Sequence, residues 1–436
     1  MPSRQLPALM PNAARTAVHH PVELVSRRHT TNGPRVMFYS HDTYGLGHLR
    51  RTLALAQRVE TRWPTASQLI VAGAAPFGSW PVPSGADWIK LPAVVKRSAE
   101  AYEARTLDLS FRSVSALRSD ILLSAARHFQ PQVLVVDHVP NGLRGEAVQT
   151  LRLLRATGAK LVLGMRDVLD EPAVVRAAWE RAGVYELLDD VYDRILVYGT
   201  RDVCDVVTAY GLSESAAVKT RFVGYLGATS TRERNHVRAD LGLQTTKLVL
   251  VTAGGGGDGA VLLRTMLEGV RARGTSLDFD CLVVAGPLMP ASDREELERF
   301  AGGDDRVQLV TSVDDLADYV AAADAIVAMG GYNTTREILT FGRPAVIVPR
   351  VEPRKEQLIR AKALARRGLV RCIHPDELTP SRLLAAVDEL LATGSPTSES
   401  VPLGGLDAFV EELDALTSSP VELVLPHERA PIAAAV

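Results

Sequence analysis

Residues 247–259 read KLVLVTAGGGGDG, a continuous apolar run that breaks into four glycines, Asp258 and Gly259, after which a helix opens. A short run of this kind, without polar alternation, fits a strand covered on both faces, as in a parallel sheet flanked by helices. The unit is therefore strand, glycine loop, helix. It recurs downstream, with strands expected at Asp280–Ala285, Val307–Val310, Ala325–Ala328 and Ala345–Val348, separated by helical stretches over 314–322, 334–340 and 355–366. Upstream, Val36–Tyr39, Leu69–Ala72, Val133–Val136, Leu161–Leu163 and Ile195–Val197 read as strands, with a helix over 111–129. Between the two series the apolar period stops at Gly224–Asn235 (GYLGATSTRERN), which reads as a linker. The organisation expected is a disordered arm over 1–33, a Rossmann-like domain over 34–224, a linker over 225–235, a second Rossmann-like domain over 236–394, and a last helix with a frayed tail over 395–436.

Composition agrees. The 436 residues are roughly three times the ~150 typical of one domain. Lysine and arginine number 49 against 51 aspartates and glutamates, so no net field draws the chain to nucleic acid or anionic lipid. No apolar run approaches the ~18 residues of a bilayer span, and the arm carries no signal-peptide pattern. Aromatics at 5% argue against a stacking platform for single strands, so no nucleic-acid partner is expected. Cys204, Cys281 and Cys372 are widely spaced, which excludes a disulfide framework or a zinc knuckle and fits a cytoplasmic setting.

Several loops at strand ends could carry chemistry. Gly254, Gly255, Gly256, Gly257 and Gly259 formally match GxGxxG, and such a loop lets backbone amides and a helix N-terminus meet a diphosphate. A nicotinamide site would want an acidic residue at the end of the next strand, but that strand ends Ala285-Gly286-Pro287. A triphosphatase loop would want a Gly-Lys-Ser/Thr, which is absent. The second loop, Met329-Gly330-Gly331-Tyr332-Asn333-Thr334-Thr335-Arg336-Glu337, offers another anion or sugar site. Glu337 reads either as the acid of a capping box with Thr334 or as an acceptor for two ribose hydroxyls, and local sequence favours the cap. The third, Pro349–Gln357, carries Glu356 and Gln357 for sugar hydroxyls and Arg350, Arg354 and Lys355 for phosphate, or is a solvated helix start.

In the first half, His41, Asp42, Tyr44, Gly47 and His48 lie in one strand-to-helix loop, while Asp137, His138, Arg166 and Asp167 follow other parallel strands. Ligands in such sheets sit beyond the carboxyl ends of strands, so these residues are expected to share a cleft, with His48 or His41 as a general base. No HxH or HExxH spacing suggests a metal.

Taken together these segments resemble the nucleotide-sugar glycosyltransferases of the GT-B fold, specifically the MurG-like family and related predicted glycosyltransferases. The resemblance covers most of 35–391 and is most specific in GGGGDGA, AMGGYNTTREILTFGRPAVIVPR and EQLIRAKAL. It implies a nucleotide-sugar donor held by the C-terminal domain and an acceptor held by the N-terminal one, facing across a cleft. It sets Gly254–Gly259 against the diphosphate, Glu337 on the ribose, Gln357 and Glu356 on the sugar, and His48 toward the acceptor. Three departures stand out. Tyr44-Gly45-Leu46-Gly47-His48 replaces the family's Gly-Gly-Thr-Gly-Gly-His, Arg50-Arg51 stands where a proline is usual, and the donor loop lacks its serine. The activity implied is inverting transfer of a sugar from a UDP-type donor to a hydroxyl acceptor, with no cofactor required. A nucleotide-sugar epimerase of the same fold, or a non-catalytic nucleotide-sugar-binding subunit, are the alternatives. Sugar stacking would fall to Tyr44 or Tyr332. Arg4, Arg15, Arg27 and Arg28 in the arm are compatible with peripheral membrane contact, though solvated disorder is favoured.

Overall fold

The computed structural model describes residues 33–41, 47–74, 82–96, 102–394 and 400–418. The arm over 1–32 and the tail over 419–436 lie outside the described residues, as do Asp42 and Tyr44.

Two parallel sheets organise the chain. The first contains β1 (Arg35–Ser40), β2 (Ser67–Ala72), β3 (Ala86–Lys90), β6 (Val133–Asp137), β7 (Lys160–Arg166), β8 (Arg194–Tyr198) and β9 (Thr220–Phe222), in the order β3-β2-β1-β6-β7-β8-β9. A small antiparallel pair, β4 (Val94–Lys96) and β5 (Tyr102–Ala104), stands apart from it. The second sheet contains β10 (Leu248–Thr252), β11 (Asp280–Val284), β12 (Val307–Val310), β13 (Ala325–Ala328), β14 (Ala345–Ile347) and β15 (Arg371–Cys372), in the order β12-β11-β10-β13-β14-β15. The strand series expected from the apolar runs is present, and β3, β4, β5, β9 and β15 are additional. These five are short or only partly apolar: β3 reads ADWIK and β15 spans two residues.

Every residue of β6, β10 and β11 is buried, as strands with helices on both faces must be. The central strand of each sheet, β1 or β10, delivers its chain into a loop at the same end as the loops after β6, β7 and β13. That is the switch point where open α/β sheets bind ligands. Helices at this end are α1 (Gly47–Arg62), α3 (Ala260–Arg273), α4 (Tyr332–Phe341) and α5 (Glu356–Arg366), while α2 (Phe111–Phe129) packs behind the first sheet.

The last helix, α6 (Gly405–Ser418), does not stay with the second domain. Phe409, Val410, Leu413 and Leu416 recur along one face and enter the same core as Leu49, Leu53, Ala56 and Val59 of α1. Two strands of chain therefore cross between the domains. They are tied together where Tyr225 N donates to Pro402 O at 2.8 Å and Gly405 N donates to Tyr225 O at 3.1 Å. Arg336 of α4 holds the same crossing by donating from Nη1 to Leu226 O and Gly227 O, each at 3.0 Å. The region expected as a plain linker is thus bonded on both sides, and α6 is anchored by its apolar stripe rather than frayed.

Candidate active site

The N-terminal wall of the cleft is built on β1, β6, β7 and α1. Asp137 closes β6, and its buried carboxylate meets His48 Nδ1 at 2.6 Å. One turn along α1, Arg51 is on the same face as His48 and grips both carboxylate oxygens from Nε and Nη2, each at 2.7 Å. Burial alone would raise the Asp137 pKa, but Arg51 and His48 outweigh it and hold the carboxyl well below the usual range. An ionised Asp137 accepts from Nδ1–H, which leaves Nε2 as the lone-pair nitrogen of His48, without a protein partner. The His48 side chain is 20% exposed, enough for a small hydroxyl to reach it.

Two more imidazoles flank it, His41 with ring centroids 4.8 Å away and His138 at 5.2 Å. Burial, with His48 beside it, holds the His41 pKa well below the ordinary value, and burial with Arg166 does the same for His138. Arg166 ends β7 and donates from Nη2 to His138 Nε2 at 2.8 Å.

Asp167, expected on the acceptor side, is engaged elsewhere. Its fully buried carboxylate takes three hydrogen bonds from Arg360 of α5 at 2.8–3.0 Å, one from Tyr225 Oη at 2.8 Å and one from Val168 N at 2.8 Å. Its lone pairs are filled, so it ties the two domains together and has nothing left for an acceptor. Lys355 reinforces this contact by donating from its backbone N to Asp170 at 2.9 Å and from Nζ to Glu171 at 3.1 Å.

On the opposite wall, Gly254, Gly255, Gly256, Gly257, Gly330, Gly331, Thr334, Arg350 and Gln357 line a cavity of about 400 Å³. Gly256 has φ +90°, and a β-carbon there would fall 2.4 Å from Ala285 O, so the loop folds onto β11 as only glycine can. Gly259 sits under the cavity instead of lining it, pressed against Ala253. Gln357 Oε1 accepts from Arg350 N at 2.9 Å, and Glu356 Oε1 accepts from Arg350 Nη2 at 2.7 Å. Arg350 also reaches Asp258 at 3.1 Å, so this arginine is already neutralised. Asn333 spans the cleft, donating from Nδ2 to Gly47 O at 3.2 Å.

Glu337 lies one turn beyond Thr334 on α4. The helix starts after Gly331 and the Glu337 carboxylate bonds to no backbone amide, so the capping box is not formed. Both oxygens are sealed from solvent without a hydrogen bond, and burial raises the pKa. The nearest cation is Arg50 of α1, at 3.4 Å, which also bonds Asp315 at 2.8 Å. Such a group is costly to leave unsatisfied, which marks it as awaiting a ligand.

Tyr332 is not a sugar platform. It is 4% exposed and lies between Arg51, 5.5 Å from its ring centroid, and Arg360 at 5.7 Å, stacked on Tyr225. Sequence reasoning also passed over Arg118, whose guanidinium pairs with Glu146 at 2.6–2.7 Å and donates to His41 O at 3.0 Å beneath the histidine cluster. The signal was present, because Arg118 falls on the apolar stripe of Val114, Leu122 and Ala126. Arg360 likewise shares the buried stripe of α5 with Ala361 and Leu364. Among the described residues no group of three or more His, Cys, Asp or Glu could hold a metal, and no helix is long and apolar enough to cross a membrane.

Residues 248–400 match the glycosyltransferase family 28 C-terminal domain. An uncharacterized glycosyltransferase of Methanopyrus kandleri is 28% identical over 159 residues, covering 36% of this chain and 42% of that one. The UDP-N-acetylglucosamine–N-acetylmuramyl-(pentapeptide) pyrophosphoryl-undecaprenol N-acetylglucosamine transferase of Rubrobacter xylanophilus is 25% identical over 256 residues, 57% of this chain and 72% of its own. The crystal structure of Acinetobacter baumannii MurG superposes with a TM-score of 0.54 at 15% identity, covering 88% of this chain and 99% of that one. A Listeria monocytogenes protein assigned as a UDP-N-acetylglucosamine 2-epimerase reaches 0.61 at 12% identity, over 88% and 97%. The fold is thus GT-B, and fold alone does not separate transferase from epimerase.

Proposed function

We propose, from the premise that this chain is a MurG-like glycosyltransferase with a family 28 C-terminal domain, that it moves a sugar from a UDP-type nucleotide sugar to a hydroxyl acceptor with inversion at the anomeric carbon. The observation that carries the donor side is Glu337: a buried carboxylate with both oxygens unsatisfied, one turn from the glycine-lined cavity, suits the two hydroxyls of a ribose.

In this reading the diphosphate lies against Gly254–Gly257 and Gly330–Gly331, where backbone amides and the N-terminus of α4 take up the charge that grows as the donor bond breaks. Gln357 and Glu356 face the sugar. His48 Nε2 accepts the proton of the acceptor hydroxyl while that oxygen attacks the anomeric carbon. Asp137 keeps the Nδ1 proton in place and stabilises the imidazolium that forms, and Arg51 keeps Asp137 ionised and aligned. Arg50 now covers Glu337, so ribose entry requires that guanidinium to swing toward Asp315 alone. The acceptor binds near His41, Asp137, His138 and Arg166.

Incubating the protein with a panel of nucleotide sugars and a cell extract, then reading products by mass spectrometry, tests this and names donor and acceptor together. A sugar-bearing product made by the wild type and lost in His48→Ala supports it. Donor returned as a sugar epimer in the absence of extract, seen by NMR, would replace it with the epimerase reading.

A further inference from the structure

Arg51, Arg118, Arg166 and Arg360 have guanidinium groups buried or half-buried behind the cleft's N-terminal wall, and three of them own a carboxylate. Arg51 has Asp137, Arg118 has Glu146 and Arg360 has Asp167. Arg166 has none among the described residues. Its one hydrogen bond runs to His138 Nε2, and its Nε is sealed from solvent without a partner. Burial first, then the neighbouring Arg51 and Arg360, push its pKa down to about 10, the mark of a cation in an uncompensated field.

His138 completes the observation. Because Nε2 accepts from Arg166, the ring proton of this neutral imidazole sits on Nδ1, and Nδ1 is buried with no acceptor. The backbone of His138 is also at φ +69°, the left-handed region that a histidine occupies only where the surroundings enforce it, and strain of this kind gathers at functional sites. Two unsatisfied donors and one uncompensated positive charge thus meet at the ends of β6 and β7, beside His48. Proteins retain such an arrangement when an anion supplies what is missing.

We propose that Arg166 and His138 form an anion subsite on the acceptor side of the cleft, and that the acceptor carries a carboxylate or phosphate which this subsite holds. The word acceptor rests on the glycosyl-transfer reading above; the anion subsite stands on its own geometry. The diphosphate of a donor is a poorer occupant. The glycine-lined cavity for it is made wholly of the C-terminal domain, whereas Arg166 and His138 belong to the N-terminal one and adjoin the proposed base at a ring distance of 5.2 Å. An anion fixed here would set the acceptor hydroxyl against His48 Nε2.

Inorganic phosphate is titrated calorimetrically into the full chain, alone and saturated with UDP, for the wild type, Arg166→Met and Glu337→Gln. The expected result is phosphate binding that survives UDP, weakens at least about tenfold in Arg166→Met and is unchanged in Glu337→Gln. Phosphate binding abolished by UDP would assign Arg166 to the donor diphosphate and overturn the proposal, as would binding indifferent to Arg166→Met. Thermal melting provides a second reading. Removing an uncompensated charge should leave the Tm of Arg166→Met equal to or above that of the wild type, and phosphate should raise the Tm of the wild type alone. A variant that melts lower or fails to fold would show a structural arginine and refute the subsite. If UDP does not bind the wild type, the donor reading fails while phosphate alone still tests the subsite. If UDP binds and phosphate does not, the subsite fails and the donor reading stands.

Discussion

Replacing Arg360 by methionine isolates the buried contact that joins the two domains. Arg360 and Asp167 are both within 1% of complete burial, and the guanidinium gives the carboxylate three hydrogen bonds at 2.8–3.0 Å. With the charge centres about 4 Å apart, the attraction is about 4 kcal/mol at an effective dielectric of about 20. Removing one partner strands the other, and Asp167 would keep only Tyr225 and Val168 as donors. Breaking a buried pair from one side costs about 3–5 kcal/mol, whereas replacing both partners by apolar groups is close to neutral. Urea unfolding should therefore show Arg360→Met destabilised by about 3–5 kcal/mol, with most of the loss recovered in the Arg360→Met, Asp167→Leu double variant. Small-angle scattering should show a larger radius of gyration for the single variant, because this pair holds the cleft closed. A loss below about 1 kcal/mol in Arg360→Met, or a double variant that costs the sum of the singles, would refute the reasoning.

Glu337→Gln removes two charge-assisted hydrogen bonds to ribose, about 3 kcal/mol together, so calorimetry should find UDP bound roughly 100-fold more weakly. The same change should raise the Tm of the unliganded protein. Because the folded-state pKa of Glu337 is raised, folding opposes its ionisation, so the advantage of the variant should grow as pH rises above 4.5 and vanish in acid. Asp137→Asn has the opposite sign. The folded-state pKa is lowered, so Asp137 contributes stability present above 3.8 and lost as pH falls through its lower folded value; the Tm gap between wild type and variant should narrow on acidification. Gly256→Ala places a β-carbon 2.4 Å from Ala285 O at φ +90°, and thermal melting should show a loss of about 2 kcal/mol or more, with weaker UDP binding.

The apolar runs of β6, β10, β11 and their neighbours were legible because strands buried on both faces carry their environment in their composition. Strands at the margins were not: β15 is two residues long and β9 three, too short for any period. The glycine loops were legible as phosphate-sized cradles, since a β-carbon at Gly256 has no room. Glu337 was ambiguous in sequence because Thr-x-x-Glu is also a capping box, and only the start of α4 after Gly331 separates the readings. Asp167 misled because an aspartate after a parallel strand looks the same whether it meets a ligand or an arginine 193 residues away. Arg118 and Arg360 betrayed themselves as charges on apolar helical stripes, a pattern that signals a buried ion pair but leaves its partner unnamed. The return of α6 to the first domain was visible as an amphipathic helix; which core it joined depends on the crossing at Tyr225 and Pro402.

The central claim is that the glycine-lined cavity and Glu337 bind the nucleoside diphosphate of a sugar donor. Isothermal titration of the wild-type protein with UDP, in buffer containing a chelator, tests it most directly. One molecule of UDP should bind per chain, and inorganic pyrophosphate, which lacks the ribose, should bind more weakly. No heat with UDP or any other nucleoside diphosphate would contradict the account.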